Sequence, residues 1–151
     1  MTVAAPINKP LLGSPCHWSV GYVGIPFLDN GHSASGCHCW GLVHLVLKQE
    51  RGIDVPTYGE ISAIELAKVA KTMARDQFNK PWIKVTEPRE FDVALMYAME
   101  GGHRLLGHAG IMTSPTTVLH VWAATDAVNM SIDHPRVRYR LVGFYRHEAL
   151  Q

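Results

Sequence analysis

The second half of the chain consists of short apolar runs separated by turn residues, and this pattern restricts the fold more than any other feature. Within the runs, apolar residues recur at every second position, which is typical of strands with one buried face. Turn-forming pairs separate the runs at Gly101-Gly102, Ser114-Pro115 and His134-Pro135. We therefore predict an antiparallel meander. Its four strands are FDVALMY (91 to 97), HAGIMT (108 to 113), VLHVWAA (118 to 124) and RVRYRLVGFYR (136 to 146).

The first half has helical patterns instead. Residues Cys39 to Glu50 are apolar on almost every face and are followed by Gly52, which is typical of the position after a helix. We predict a buried helix here, although the valine and leucine content leaves a strand open as an alternative. A capping-box pattern at Ser62 and apolar residues at helical spacing predict a second helix to about Phe78. Helices followed by a sheet indicate an α+β domain.

Size and charge limit the functions open to the chain. Its 151 residues suit one domain, whose core is large enough to need neither disulfides nor a structural metal. A net charge of +1 gives no field to attract nucleic acid or an anionic membrane. We predict an irregular arm at residues 1–16, which packs against a neighbouring subunit. The single domain is predicted to comprise residues 17–151. The N-terminus lacks signal-peptide features, and no apolar segment reaches the roughly 18 residues of a membrane span.

The sequence GCHCWG, residues 36 to 41, places two of the three cysteines on either side of a histidine just before the predicted helix. Cys39 at the start of a helix is a candidate nucleophile, because the positive helix end favours a thiolate. Its base must come from elsewhere in the chain. If HAGIMT and VLHVW form a hairpin, His108 and His120 lie on one face within hydrogen-bond reach. Cys39 would then attack, His108 would take and return the proton, and His120 would fix the tautomer of His108.

Two other interpretations of this segment stay open. The first is a zinc site, and the ligands available to it are Cys16, His17, His32, Cys37, His38 and Cys39. The spacing of Cys37 and Cys39 is too tight for a zinc knuckle, and no second knuckle follows. The second is that Cys39 is a buried structural thiol. We expect no metal and no other cofactor.

The run from Gly21 through GCHCWG to Pro56, followed by His108 and then His120 twelve positions later, resembles the NlpC-type family of papain-like cell-wall cysteine peptidases. The resemblance covers roughly residues 18 to 124. It implies a papain-like α+β fold, with N-terminal helices packed on an antiparallel sheet. It also implies hydrolysis of the peptide stems of bacterial peptidoglycan, commonly between D-glutamate and a diamino acid. The implied catalytic residues are Cys39, His108 and His120, with backbone amides near the helix start as the oxyanion site.

The resemblance further implies which residues contact the substrate. We expect these to be Phe27, His38 and Trp40. Phe27 stands where the family usually has tyrosine, and it cannot donate a hydroxyl hydrogen bond. His38 stands where the family usually has aspartate, which changes the charge beside Cys39.

Trp40, directly after the cysteine, makes the run similar to single-domain members encoded beside phage tail and gene-transfer-agent genes. This subgroup implies a thiol protease that is made in the cytoplasm without a signal peptide, is incorporated in a virion-like tail and acts at the host cell wall. Its partners would be stem peptides and other tail or hub proteins. The alternative is a catalytically silent hub, scaffold or wall-binding protein that retains the peptidase fold.

Overall fold

The computed structural model describes residues 17–29, 31–55, 81–100, 103–122 and 125–151. The predicted arm at residues 1–16, the predicted helix from Ser62 to about Phe78 and the Gly101-Gly102 turn lie outside the described residues. In chain order the elements are a 3-10 helix (Trp18–Gly21), β1 (His32–Ser33), β2 (Gly36–Cys37), α1 (Cys39–Arg51), β3 (Trp82–Val85), β4 (Val93–Glu100), β5 (His103–Ser114), β6 (Thr117–Trp122), β7 (Thr125–Ser131), α2 (Pro135–Arg138), β8 (Leu141–His147) and a 3-10 helix (Glu148–Leu150).

Six strands form one antiparallel sheet in the order β3-β8-β4-β5-β6-β7. Strands β4 to β7 form an antiparallel meander. Three of the four predicted strands, at 91 to 97, 108 to 113 and 118 to 124, correspond to β4, β5 and β6. The fourth, at 136 to 146, corresponds to β8, which does not continue the meander and instead lies between β3 and β4. A separate two-stranded ribbon, β1 with β2, immediately precedes α1. The antiparallel sheet and the α+β class predicted from the sequence are confirmed.

The helix predicted from Cys39 is confirmed, and the strand alternative is wrong. α1 ends where Gly52 takes a left-handed conformation, with φ of 67°, which glycine adopts without a steric penalty. Most of its residues from Cys39 to Leu47 are buried. An element that is apolar all round needs partners on several sides, and α1 packs against β5, β6 and the small ribbon.

The two faces of the sheet belong to different apolar clusters, because successive strand residues point to opposite faces. One cluster joins α1 to the sheet, and its strand members include Val93, Leu95, Ala109, Ile111, Leu119 and Val121. The other cluster contains Ala94, Met96, Met112, Val118 and, from α2, Val137. The sheet is therefore covered by α1 on one face and partly by α2 on the other.

Three details of the predicted strands need correction. The run at 136 to 146 begins with the short helix α2, because Pro135 at the first helical position favours a helical start and His134 caps it. Strand β8 begins only at Leu141. β5 starts at His103 and not at His108, and the strands β3 and β7 were not predicted.

Candidate active site

Cys39 is the first residue of α1, and a contact between two backbone segments fixes its position. The N–H of His38 donates to the carbonyl oxygen of Gly31 at 3.0 Å. Gly41 lies directly on the same carbonyl, and a Cβ at position 41 would overlap that oxygen, so glycine is required. The loop that precedes the helix is thereby held against the first turn of α1.

The sulfur of Cys39 lies in a buried environment that contains several amide donors. The residue is 7% exposed. Burial raises the pKa of the Cys39 thiol, while the backbone amides of Ala109, Trp40 and Cys39 itself lower it. Because burial is the largest of these effects, the thiol is neutral at rest. The amides of Cys39 and Trp40 are donors at the helix start, and the Ala109 amide of β5 adds a third, so negative charge would be stabilised there.

His108 lies in the middle of β5, next to an irregularity in the pairing of that strand. Met96 of β4 pairs with His108, and the next residue, Tyr97, pairs with Leu106. Gly107 is therefore an extra residue on β5, which makes a β-bulge. Bulges bend a strand and redirect the neighbouring side chain. The expectation that His108 begins a strand is wrong, but the pairing does change directly before it.

His108 and His120 form the histidine pair predicted from the hairpin. Nε2 of His108 and Nδ1 of His120 are 2.9 Å apart, and the two rings meet edge to face with centroids 5.2 Å apart. Gly110 makes this arrangement sterically feasible, because a Cβ there would lie 3.0 Å from the Cβ of His120. The predicted hydrogen-bond reach between the two histidines is confirmed.

Both imidazoles are neutral at ordinary pH. Burial, with smaller contributions from the charges of His120 and Arg140, lowers the pKa of His108 to about 3. Burial, with the charges of Arg140 and His134, lowers the pKa of His120 to about 4. Each neutral ring carries one N–H, so in the hydrogen bond between them one ring donates and the other accepts.

Packing of α1 against β5 brings the Cys39 sulfur to the backbone amide of the residue that directly follows His108. Ala109, whose amide acts on the Cys39 sulfur, directly follows His108 in β5. The recorded pairing of β5 with β6 extends from Ser114↔Thr117 to Ile111↔Leu119, and the histidines lie beyond that end. Sequence reasoning did not identify the Ala109 amide. The small residues Ala109 and Gly110 after His108 could have indicated this contact, because small side chains allow a helix to approach the strand closely.

The three residues expected to contact substrate have different surroundings. Phe27 is 36% exposed and its neighbour Leu28 51%, and Phe27 pairs with Cys37 in a parallel bridge close to the helix start. His38 is buried and caps α1 through Nδ1. Trp40 is fully buried and meets Trp82 edge to face at 5.8 Å between centroids. The expected substrate contacts of Phe27, His38 and Trp40 stay predictions.

The zinc interpretation gains no support from the part of the chain that the structure describes. No three His, Cys, Asp or Glu side chains there are arranged to hold a metal ion. Cys37 is buried, its Sγ lies 3.1 Å from the carbonyl oxygen of Ser33, and burial raises its pKa to about 12. Among these described residues there is also no helix long and apolar enough to cross a membrane.

Comparison with known proteins identifies the fold. Neither a protein-family model nor a curated protein matches the sequence. Among solved structures, an NlpC/P60 family protein from Bacillus cereus is similar over 86% of this chain and 38% of its own, with 17% identity and a TM-score of 0.61. The chain has the NlpC/P60 fold. The α+β, papain-like architecture expected from the resemblance is thus confirmed.

Two further structures share the NlpC/P60 fold with this chain. A Staphylococcus aureus protein described as similar to a lipoprotein of the NLP/P60 family matches over 85% of this chain and 38% of its own, with 17% identity and a TM-score of 0.57. The NlpC/P60 domain of the peptidoglycan hydrolase SagA matches over 82% of this chain and 87% of its own, with 17% identity and a TM-score of 0.50. The chain thus spans 38% of the length of two of these proteins and most of the third.

Proposed function

We propose that this chain is a cysteine endopeptidase that hydrolyses the peptide stems of bacterial peptidoglycan. The single observation that carries the proposal is the 2.9 Å hydrogen bond between His108 and His120. His108 lies in β5, and the amide of the next residue in that strand, Ala109, acts on the Cys39 sulfur. A nucleophile, a base and a group that orients the base are the parts that covalent acyl transfer requires. The SagA domain, which has the same fold, belongs to a peptidoglycan hydrolase.

The hydrogen bond assigns a role to each ring nitrogen. Nε2 of His108 is engaged with His120, so Nδ1 is the nitrogen that can accept the thiol proton. Nε2 of His108 must then carry a hydrogen and donate it to Nδ1 of His120. His120 thereby fixes the tautomer of His108 that can act as a base.

The chemistry follows from these neutral groups. As the Cys39 proton moves to Nδ1 of His108, the sulfur bonds to the carbonyl carbon of the substrate. The amides at the start of α1 stabilise the resulting oxyanion. The C–N bond breaks as the same proton passes to the leaving amine, which leaves a thioester. Water then gives its proton to His108 and its oxygen to the thioester carbon, so that the acid product leaves and the thiol is restored.

The proposed bond is the one between D-glutamate and the diamino acid of the stem. Incubation of purified muropeptides with the protein, followed by mass spectrometry, tests this directly. We expect cleavage by the wild type and none above background by Cys39→Ala or His108→Ala. His120→Asn should retain part of the activity, because its amide oxygen takes the place of Nδ1 and can still accept a hydrogen bond. Equal cleavage by Cys39→Ala and the wild type would contradict the proposal.

A catalytically silent hub or wall-binding protein is the second candidate, and the burial of Cys39 favours it. A silent protein would bind stem peptides or tail proteins without turnover. Binding of a stem peptide by the wild type, without any cleavage product over days, would select this alternative.

We further propose that the protein acts as a component of a phage-like tail that opens the host cell wall during entry. The support is the similarity of the run from Cys39 to Val43 to tail-associated, single-domain members. Mass spectrometry of purified particles tests this placement. We expect the chain in the tail fraction together with hub proteins, and its absence from particles would contradict it.

A further inference from the structure

The two ring nitrogens of His38 have opposite roles that the structure determines. The backbone N–H of Gly41 donates to Nδ1 of His38, with 3.2 Å between the nitrogens. A backbone amide is always the donor, so Nδ1 must be unprotonated. Burial lowers the pKa of His38, which keeps the ring neutral. The one hydrogen of a neutral ring is therefore on Nε2, and Nε2 is a donor.

Among the described residues, this donor has no acceptor. Nε2 is buried and makes no hydrogen bond to any residue that the structure describes. The residue as a whole is 7% exposed. A buried donor without a partner is rare in folded proteins, because it has lost its hydrogen bonds to water and gained nothing in return. A ligand that brings an oxygen acceptor would restore that hydrogen bond.

The charged neighbours of His38 do not fill this role. Asp29 raises the pKa of His38 and His32 lowers it, so both lie close enough to act electrostatically. Neither Asp29 nor His32, both of which the structure describes, forms a hydrogen bond with the His38 side chain. Because His38 is neutral, it offers a directed N–H and not a positive charge.

We propose that His38 is a specificity-determining residue that donates from Nε2 to a carbonyl or carboxylate oxygen of the bound peptide, beside Cys39. A carboxylate side chain at this position would instead attract an ammonium group. Position 38 thus selects an oxygen acceptor in the substrate. This inference rests on the proposed peptidase function. Nε2 is closed to solvent in the free protein, so the surrounding side chains must move when that oxygen binds.

Two substitutions separate the roles of the two nitrogens. In His38→Asn, the amide oxygen takes the place of Nδ1 and retains the helix cap, but the Nε2 donor is lost. In His38→Gln, the longer side chain places an N–H near the position of Nε2, but the cap is lost. We expect kcat/KM on stem peptides to fall about ten- to hundredfold in His38→Asn and by less in His38→Gln. Thermal stability should fall more in His38→Gln, which loses the helix cap, than in His38→Asn, which retains it.

A spectroscopic measurement tests the donor without turnover. Nitrogen-15 spectra of the histidine rings in the Cys39→Ala variant report which nitrogen of His38 carries the hydrogen. We expect the Nε2–H form in the free protein, and a downfield shift of that hydrogen when a synthetic stem peptide with D-glutamate and a diamino acid is added. A ring hydrogen on Nδ1, or an Nε2–H unmoved while other site resonances shift, would overturn the inference.

The outcomes also distinguish this inference from the proposed function. If the wild type cleaves stem peptides and His38→Asn cleaves them equally well, only the role of His38 is wrong. If the wild type neither binds nor cleaves them, the peptidase function is wrong and the inference fails with it.

Discussion

Gly110 lies against His120 so closely that a Cβ at position 110 would come within 3.0 Å of the His120 Cβ. The same Cβ would lie 2.6 Å from Cγ2 of Val118 and 3.0 Å from the carbonyl oxygen of Leu119. These neighbours belong to a packed strand and cannot rotate away. The glycine therefore maintains the separation of β5 and β6 at the histidine pair.

We predict that Gly110→Ala disrupts the pair. The added methyl group should separate the strands, lower the free energy of unfolding by about 1 to 3 kcal/mol and reduce muropeptide cleavage strongly. Gly143→Ala is the matched control, because its Cβ would meet the mobile Cε of Lys84 at 3.3 Å. Urea unfolding and kcat/KM measure the two effects. Wild-type activity in Gly110→Ala would show that the strands are not constrained there.

Asp92 and Arg146 form a buried ion pair that should matter for stability. Asp92 is fully buried and accepts from Nε and Nη2 of Arg146, both at 2.8 Å. Asp92→Ala leaves the guanidinium without its partner, and we expect a loss of about 3 to 5 kcal/mol. The exposed pair of Lys48 and Asp54 is the control, and Asp54→Ala should cost less than about 1 kcal/mol. Equal losses in urea unfolding would contradict the prediction.

Stability should decrease as the solution becomes acidic, because of the same histidines that we propose for catalysis. Burial lowers the pKa of His108 to about 3 and that of His120 to about 4. In the unfolded chain, both histidines become protonated near pH 6.5, whereas in the folded protein they stay neutral to a much lower pH. Acidification therefore favours the unfolded state and lowers the free energy of unfolding. Below about pH 6.5, each histidine should lower the free energy of unfolding by about 1.4 kcal/mol per pH unit, until the pH reaches the pKa of that histidine in the folded protein.

Urea unfolding at pH 7, 6, 5 and 4 measures this dependence. In the double variant His108→Gln/His120→Gln, the decline with acidification should be shallower than in the wild type. If the two profiles have the same slope, the buried histidines are not the origin of the acid sensitivity.

The two described cysteines should differ in reactivity toward iodoacetamide. Burial raises the pKa of Cys37 to about 12 and also raises that of Cys39, and backbone hydrogen bonds oppose the effect at both thiols. Cys39 is 7% exposed, whereas Cys37 is fully buried. We expect alkylation of Cys39 to require alkaline pH and still to be faster than that of Cys37, as read by site-resolved mass spectrometry. Rapid labelling of Cys39 below pH 7 would instead show that it rests as a thiolate.

The sequence was sufficient to predict the parts of the site that depend on local pattern. Helix α1 and its start at Cys39 follow from a continuous apolar run with a terminal glycine. The His108 and His120 pair follows from a short hairpin with polar residues at matching positions. The bulge at Gly107 could not be predicted, because it depends on how β4 and β5 pair and not on composition. The strand β7 was missed because only Ala127 is buried along it, so its apolar alternation is weak.

Several histidines of the chain have a structural role at helix starts. Of the nine histidines, four accept a backbone N–H at the start of a helix: His17, His38, His134 and His147. Ser, Thr, Asp and Asn are the residues expected at such positions, so a histidine cap gives little sequence signal. Almost half of the histidines of the chain therefore cap the starts of helices.

The contact of Gly41 with Gly31 has a consequence for how such a chain diversifies. Because two backbone segments meet there, the position of the helix start depends on glycine at position 41 and not on the exposed side chains of the preceding loop. The exposed residues Phe27 and Leu28 can therefore be exchanged during evolution while the reactive atom keeps its position. A lineage can thus acquire new preferences through surface substitutions, without having to rebuild the chemistry each time.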